Sequence, residues 1–268
     1  MTTYNLCIFP DDASHGLGHI RRCEAVAHEW DKQGTNYRVI WGNMPRPKSV
    51  DVINVALVDS YTQPDIYYRL LKSETNLLVA FQDHLSLPPC IDIVISCQYG
   101  RAIPKRSTFD QVVCYGPAYV PIKWWLLAGS MNSYGFEKEQ KGLVFDCDSV
   151  KRGISPAEFS KRMAQAEIVI CSSGLTAYEA VFMNKTILLR IATDEQLYTY
   201  MNLIRDGYAL PMSPYTFILA KNGKWRPRKK EINLVDGRGA QRIVQSILDG
   251  LERKKVSIGK GSLTVWSR

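Results

Sequence analysis

At 268 residues, with 46% hydrophobic and 22% charged residues, the chain has the composition of a soluble globular protein. It contains no apolar run near the roughly 20 residues that a membrane span needs, and it does not open on a basic segment followed by a long apolar one. We therefore expect neither a membrane span nor a secretion signal.

The net charge of +8 favours a polyanionic partner, either nucleic acid or an anionic membrane surface. The seven cysteines are scattered and form no CxxC pair, which speaks against a zinc or redox site. Reduced, buried thiols in a cytoplasmic protein are the expectation. The four histidines form no ligand motif, so no metal centre is expected.

Apolar runs of strand type alternate with segments of helical spacing, which predicts an α/β fold with a mostly parallel sheet. We interpret the irregular stretch 121–140 as a connection between an N-terminal domain, 1–120, and a C-terminal domain, 141–268. The predicted strands are 5–9, 37–41, 55–58, 77–81, 91–96, 111–114, 142–145 and 168–171. The predicted helices are 20–33, 65–72, 156–166, 177–183, 196–206 and 240–253.

The sequence GLGHIRRC at residues 16–23 joins the first predicted strand to the first predicted helix. A strand, a glycine-rich turn and a helix place backbone N–H groups and a positive helix end next to an anion. Gly16 and Gly18 let the backbone approach a ligand that a Cβ would keep away. His19 stands at the start of the helix, where a group that accepts a proton near neutral pH would face the same ligand. A plain turn with a surface histidine is the alternative.

A second turn of this kind, SSGLT at residues 172–176, follows the predicted strand 168–171. Its serine and threonine side chains are able to cap the next helix while their N–H groups remain available to a phosphate. An ordinary N-cap at Ser173 or Thr176 is the alternative. Two such turns, one in each half of the chain, predict a cleft whose ligand bridges two domains.

Cations are concentrated late in the chain, in the sequence KWRPRKK at residues 224–230 and again at 253–255. A basic run with an interleaved tryptophan suits phosphate contacts together with stacking on a base. A solvated loop is the alternative. The residues predicted to contact nucleic acid are Lys224, Trp225, Arg226, Arg228, Lys229 and Lys230.

Six patches of the chain, in the same order, resemble motifs of the pseudaminic-acid pathway UDP-sugar hydrolases and the related spore-coat polysaccharide proteins. These families are small relatives of the two-domain GT-B glycosyltransferases. The resemblance implies an α/β, GT-B-like fold with two Rossmann-like lobes that face a cleft, the second lobe being shortened. The patches are GLGHIRRC at 16–23, VDSY at 58–61, FQD at 81–83, GPAY at 116–119, CSSGLTAYE at 171–179 and DGRGAQRI at 236–243.

The resemblance also implies roles for single residues. His19 matches a histidine that activates the nucleophile, and Tyr61 matches a tyrosine that lines the sugar pocket. The 172–176 turn matches the loop that holds the diphosphate, and Glu179 matches an acid that binds the ribose hydroxyls. Arg22 is a candidate to add positive charge beside the phosphates, or else a helix residue that covers apolar surface.

Two features depart from the resembled hydrolases. Where they carry Asn-Gln before a helix, this chain has Glu195 and Gln196. An ionised glutamate accepts but does not donate hydrogen bonds, so it suits a second base or a contact to sugar hydroxyls. The second half also lacks room for two βα units that the relatives have. Both departures weaken the case for the hydrolytic reaction.

The sequence thus predicts an inverting glycosyltransferase that takes a nucleotide-sugar donor as substrate and needs no cofactor. The predicted acceptor is a large anionic molecule such as the hydroxymethylated DNA that some bacteriophage enzymes of this plan modify. A UDP-sugar hydrolase and a non-catalytic binding module for nucleotide sugar or nucleic acid are the alternatives. The predicted catalytic residues are His19, Tyr61 and Glu195, and the predicted donor-binding residues are Gly16, Gly18, Arg22, Ser172, Ser173, Gly174, Thr176, Glu179 and Gln196.

Overall fold

The chain divides into two α/β units, each built on a parallel sheet. Unit 1 comprises Met1–Ser96, Ala102–Tyr115 and Ala240–Arg268, and unit 2 comprises Cys97–Arg101 and Gly116–Gly239. Among the described residues, no helix combines the length and the apolar character needed to cross a bilayer. The computed structural model describes residues 5–10, 18–34, 37–39, 53–60, 63–82, 88–100, 110–123, 126, 143–150, 153–227 and 234–261.

Strands alternate with helices in much of the described chain, as the apolar pattern predicted, although the strands between residues 75 and 115 follow one another with no described α-helix between them. The strands are β1 (Leu6–Pro10), β2 (Tyr37–Val39), β3 (Ile53–Asp59), β4 (Thr75–Phe81), β5 (Ile93–Ser96), β6 (Val112–Tyr115), β7 (Val144–Asp146), β8 (Ile168–Ser172), β9 (Thr186–Arg190) and β10 (Leu210–Pro211). The helices are α1 (Gly18–Asp31), α2 (Asp65–Glu74), α3 (Cys147–Val150), α4 (Pro156–Gln165), α5 (Leu175–Phe182), α6 (Leu197–Arg205), α7 (Pro214–Lys221) and α8 (Gly239–Gly261).

The six-stranded sheet of unit 1 has the order β2-β1-β3-β4-β5-β6, with every pair parallel. Its central strands are buried along almost their whole length, which explains their near-continuous apolar sequences. In the sheet, β2 lies on one side of β1, and β3 lies on the other. The strand order therefore reverses at β1 and β3, and ligands of open α/β sheets bind at the carboxyl ends of such a strand pair.

Unit 2 contains a four-stranded parallel sheet in the order β10-β9-β8-β7. Its core includes Ile168 and Ile170 of β8, Leu188 of β9 and Ala220 of α7. The apolar pattern of the sequence did not predict β9, β10 or α7.

The C-terminal helix α8 belongs to unit 1, whereas the sequence analysis placed residues 240–268 in the C-terminal domain. Its Gly250 packs so close to the first sheet that a Cβ there would lie 3.2 Å from the side chains of Leu77 and Ile93. The Lys254 ammonium lies 2.8 Å from the Asp92 carboxylate. A helical pattern identifies the helix but not the sheet that it packs against, so the boundary had to come from these contacts. Most of the predicted connection, residues 127–140, lies outside the described residues.

Candidate functional site

The most distinctive polar cluster of unit 1 joins the start of α1 to the end of β3. Asp59, the last residue of β3, pairs in register with Pro10, the last residue of β1. Nδ1 of His19 lies 2.5 Å from Oδ1 of Asp59. Asp59 is completely buried and His19 is 5% exposed. The sheet thus brings together two residues 40 positions apart in sequence, at the carboxyl ends of the strand pair where the order reverses.

Arg22, one turn further along α1, binds the same carboxylate. Its Nε donates to Oδ2 of Asp59 and its Nη2 donates to Oδ1, so the guanidinium contacts both oxygens. The guanidinium carbon also lies 4.6 Å from the centre of the Phe81 ring. Burial raises the pKa of Asp59, but the charge of Arg22 and the hydrogen bonds from Arg22 and His19 outweigh it and lower that pKa below its usual value. Asp59 is therefore ionised at neutral pH.

An ionised Asp59 determines which nitrogen of the His19 ring carries the proton. A carboxylate only accepts hydrogen bonds, so Nδ1 of His19 donates to it and the lone pair resides on Nε2. Arg22 Nη2 also approaches Nδ1, but at the longer distance of 3.3 Å. When Nε2 takes up a proton, the resulting imidazolium lies against a negative charge. This arrangement is chemically suited to general-base catalysis.

Cys23, the residue after Arg22, does not provide a nucleophile. Its sulfur lies 3.8 Å from Oδ2 of Asp59. Burial, and then the negative charge of Asp59, raise the pKa of the Cys23 thiol well above its usual value. The thiol therefore stays protonated, and a protonated thiol is a poor nucleophile.

In unit 2, the 172–176 turn connects β8 to α5 as predicted, but its serines do not cap the helix. Gly174 is the N-cap residue and provides no side-chain cap. Both the N–H and the hydroxyl of Ser173 donate to the carbonyl of Arg190, at 3.1 and 2.9 Å, and the Ser172 hydroxyl donates to Asp148. Within the described residues, no hydrogen bond to the N–H groups of residues 174–176 is found. The N-cap alternative for Ser173 is therefore wrong, because its hydroxyl bonds to β9.

Glu179 and Lys123 form a buried ion pair in unit 2. Lys123 Nζ lies 2.8 Å from Oε2 of Glu179, and it also lies 4.8 Å from the centre of the Phe159 ring. Glu179 is completely buried. The resemblance implied that Glu179 binds the ribose hydroxyls. Lys123 was not predicted as its partner, because nothing in the local sequence links residues 56 positions apart.

Gln196 is the predicted residue that the structure brings to the 172–176 turn. A Cβ on Gly174 would lie 3.6 Å from Nε2 of Gln196. The Gln196 side-chain oxygen accepts a hydrogen bond from the N–H of Ala192 at 3.1 Å, which holds the amide in place. The half-buried Glu195 precedes it in a short 3₁₀ turn, and its carbonyl accepts from Gln98 at 3.3 Å.

The other predicted residues lie in the basic segment 224–230 or outside the described ranges. Lys224 and Arg226 are exposed and Trp225 is half-buried. Among the side chains that the structure describes, no group of three His, Cys, Asp or Glu residues is arranged to hold a metal ion. The predicted residues that lie outside the described ranges are Gly16, Tyr61, Arg228, Lys229 and Lys230.

The fold of the chain is similar to those of several solved proteins. The sequence matches no protein-family model and no curated protein at a significant level. Acinetobacter baumannii MurG is 12% identical, with a TM-score of 0.51 over 92% of this chain and 100% of that chain. A candidate UDP-N-acetylglucosamine 2-epimerase from Listeria monocytogenes is 10% identical, with a TM-score of 0.52 over 94% of this chain and 98% of that chain.

These similarities confirm the predicted fold class. The chain has an α/β fold of the GT-B-like type, built of parallel sheets with helices between the strands. Identities of this size establish the fold alone, because one fold hosts many activities. Membership of the pseudaminic-acid or spore-coat family, and a ligand that bridges the two turns, stay predictions.

Proposed function

We propose that this protein transfers a sugar from a nucleotide-sugar donor to an acceptor hydroxyl, with inversion at the anomeric carbon and with His19 as the general base. The observation that carries the proposal is the His19–Asp59 pair, which lies where the strand order of unit 1 reverses. The GT-B-like fold supports it by analogy. Within this proposal the chain is a divergent relative of the pseudaminic-acid and spore-coat proteins.

In the proposed reaction, Nε2 of His19 takes the proton of the acceptor hydroxyl while the oxygen of that hydroxyl attacks the anomeric carbon of the donor. The bond between that carbon and the diphosphate oxygen breaks, and the nucleoside diphosphate leaves with the electron pair. Asp59 holds the ring in the reactive tautomer and stabilises the imidazolium that forms. Arg22 keeps Asp59 ionised and in place.

For the donor, we propose that its diphosphate binds the 172–176 turn of unit 2. The N–H groups of residues 174–176 and the positive end of α5 are suited to a departing diphosphate. Stabilising the leaving group in this way requires no metal ion. Gln196 lies beside the turn and has an amide with which to contact the donor. Contact of Glu179 with the ribose remains part of the proposal and requires its ion pair with Lys123 to rearrange.

The proposed acceptor is a large anionic molecule, and hydroxymethylated DNA is the first to test. Supporting features are the net charge of +8 and the exposure of Lys224 and Arg226. A panel of nucleotide sugars is incubated with the protein, with and without this DNA, and nucleoside diphosphate and glycosylated product are measured by mass spectrometry. Turnover that requires an acceptor supports a transferase. Equal turnover in water alone indicates the hydrolase, and binding without turnover contradicts enzymatic function.

The variant that tests the mechanism is His19→Ala. Removal of a general base lowers kcat/KM by about 10²–10⁴-fold, and we expect a loss in that range with donor affinity nearly unchanged. His28→Ala, on the same helix, is the matched control and is expected to retain wild-type activity. A loss for His19→Ala of less than about tenfold contradicts its role as the base.

A further inference from the structure

Helix α7 exposes apolar side chains on its outer face. Tyr215 is 70% exposed and Ile218 is 56% exposed, whereas Thr216 and Ala220 of the same helix are buried. Residues three positions apart lie on the same face of a helix, so the ring and the branched aliphatic chain are neighbours. Tyr215 and Ile218 therefore form a small apolar face that is open to solvent.

A run of cations follows this apolar face in the sequence. Lys221 closes α7, and Lys224 and Arg226 follow it, all three exposed. From residue 207 to residue 230 the sequence contains six Lys or Arg residues and no Asp or Glu. Glu167, which lies between α4 and β8, is 3.3 Å from Arg226. Because that arginine side chain is 67% exposed, solvent screens the pair and the segment keeps its positive character.

The helix is already formed without a partner. The Ser213 hydroxyl accepts from the Thr216 N–H at 3.1 Å, and the Thr216 hydroxyl accepts from the Ser213 N–H at 2.9 Å, which together form a capping box. Pro214 at the first helical position adds to this start signal. Binding through α7 therefore carries little cost for ordering the backbone.

We propose that unit 2 binds an anionic lipid bilayer through Tyr215, Ile218, Lys221 and Lys224, which we call the α7 surface. In this proposal Tyr215 and Ile218 enter the boundary between headgroups and acyl chains, and the two lysines contact lipid phosphates. Charge complementarity together with exposed aliphatic surface favours this occupant. Nucleic acid would satisfy the lysines but would leave the Ile218 chain against a polar backbone. The proposal does not depend on the proposed chemistry at His19, but it assigns Lys224 to lipid phosphates instead of to the proposed DNA acceptor.

The experiment measures binding of the full chain to vesicles by sedimentation at low and high salt. One set of vesicles is phosphatidylcholine alone, and the other is an equal mixture of phosphatidylcholine and phosphatidylglycerol. We expect binding to the anionic vesicles only, and weaker binding at high salt. The double variant K221Q/K224Q is expected to lose about fivefold in affinity for each lysine removed. The double variant Y215S/I218S is expected to lose about tenfold through its apolar contacts.

Two matched controls separate this surface from general effects. I66S/L70S removes two exposed apolar residues from α2, and K161Q removes an exposed cation from α4. Both are expected to bind vesicles like the wild type, and thermal melting checks the fold of every variant. Failure of the wild type to bind anionic vesicles, or wild-type binding by both α7 variants, overturns the proposal. Binding to duplex DNA that depends on Lys221 and Lys224, without vesicle binding, overturns it in favour of a nucleic acid.

Discussion

At the scale of single residues, Arg22 is the residue whose position changes the interpretation most. The sequence offered it as a contact to phosphates or as a surface residue, and the structure buries its guanidinium against Asp59 and the Phe81 ring. A guanidinium that binds both oxygens of one carboxylate orients that carboxylate more firmly than a single contact does. Arg22 thereby keeps Asp59 ionised, and Asp59 in turn determines the tautomer of His19.

Replacing Arg22 is expected to destabilise unit 1 and to change its response to acid. Arg22→Gln leaves a buried carboxylate without its main counter-charge, which costs about 3–5 kcal/mol. Arg22→Lys keeps the charge without the two-point contact, so the expected loss is smaller. Urea unfolding of both variants measures the difference, and equal losses would contradict the two-point contact.

The direction of the pH effect follows from the lowered pKa of Asp59 in the wild type. Its contribution to stability is complete above the unfolded-state value of about pH 4 and is lost as the pH falls through the lower folded-state pKa. In Arg22→Gln, burial dominates and raises that pKa above its unfolded-state value. The deficit of the variant is then expected to be largest near neutral pH and to shrink as the pH falls through the raised pKa, because protonation removes the buried charge. Urea midpoints across the acid range show whether the difference between variant and wild type narrows in this way.

At the scale of elements, Gly18 at the start of α1 allows a test of whether glycine there serves stability or ligand binding. A Cβ at Gly18 would meet no described atom within 4 Å, so no packing in the described structure requires glycine there. Gly18 is the first residue of α1, so at most part of the roughly 1 kcal/mol that separates glycine from alanine inside a helix applies there. The reason given from the sequence is close approach of a ligand to the backbone.

Gly18→Ala is therefore expected to leave stability equal or slightly higher while it weakens donor binding and turnover. Thermal melting and steady-state kinetics on the same preparation measure the two effects. Gly153→Ala is the control, because the nearest described atom to a Cβ there is a carbonyl oxygen at 4.0 Å, and Gly153 lies outside both predicted ligand-binding turns. Normal kinetics in Gly18→Ala would mean that no ligand approaches the turn at this position.

Elements were predicted well where an apolar run is long and bounded by turn residues. Predicted strand 77–81 corresponds to β4, and predicted helix 156–166 to α4, which Ser155 caps and Pro156 begins. The helix α7 was missed although Ser213 and Pro214 form a start signal, because its sequence PYTFILAK is apolar at most positions and shows no clear helical period. The strand β10 has two residues, which is too short for any pattern.

At the scale of the whole molecule, the chain returns to the unit in which it began. The contacts of Asp92 show this, because its carboxylate accepts a hydrogen bond from Lys72 of α2 at 2.6 Å and another from Lys254 of α8 at 2.8 Å. The backbone N–H of Leu78 in β4 donates to the same carboxylate at 2.7 Å. One side chain thus connects the sheet of unit 1 to an early helix and to the last helix.

Asp92→Asn is expected to lower the free energy of unfolding by about 1–3 kcal/mol, because two ammonium groups then face each other without a counter-charge. Lys254→Met leaves the Lys72 pair intact, and its expected cost is below about 1 kcal/mol. Glu158→Gln is the control, since its partner Arg162 lies on the same exposed helix face. Chemical denaturation compares the three, and an Asp92→Asn loss no larger than that of the control would contradict the connecting role.

The sequence by itself determined the fold class, most of the elements and the turn at residues 172–176 that joins β8 to α5. It could do so because apolar periodicity and turn chemistry are local properties of the chain. The tertiary structure decided the partners: Asp59 for His19 and Arg22, Lys123 for Glu179, and unit 1 for α8. Those pairings depend on the order in which strands lie side by side, and a sequence pattern does not record that order.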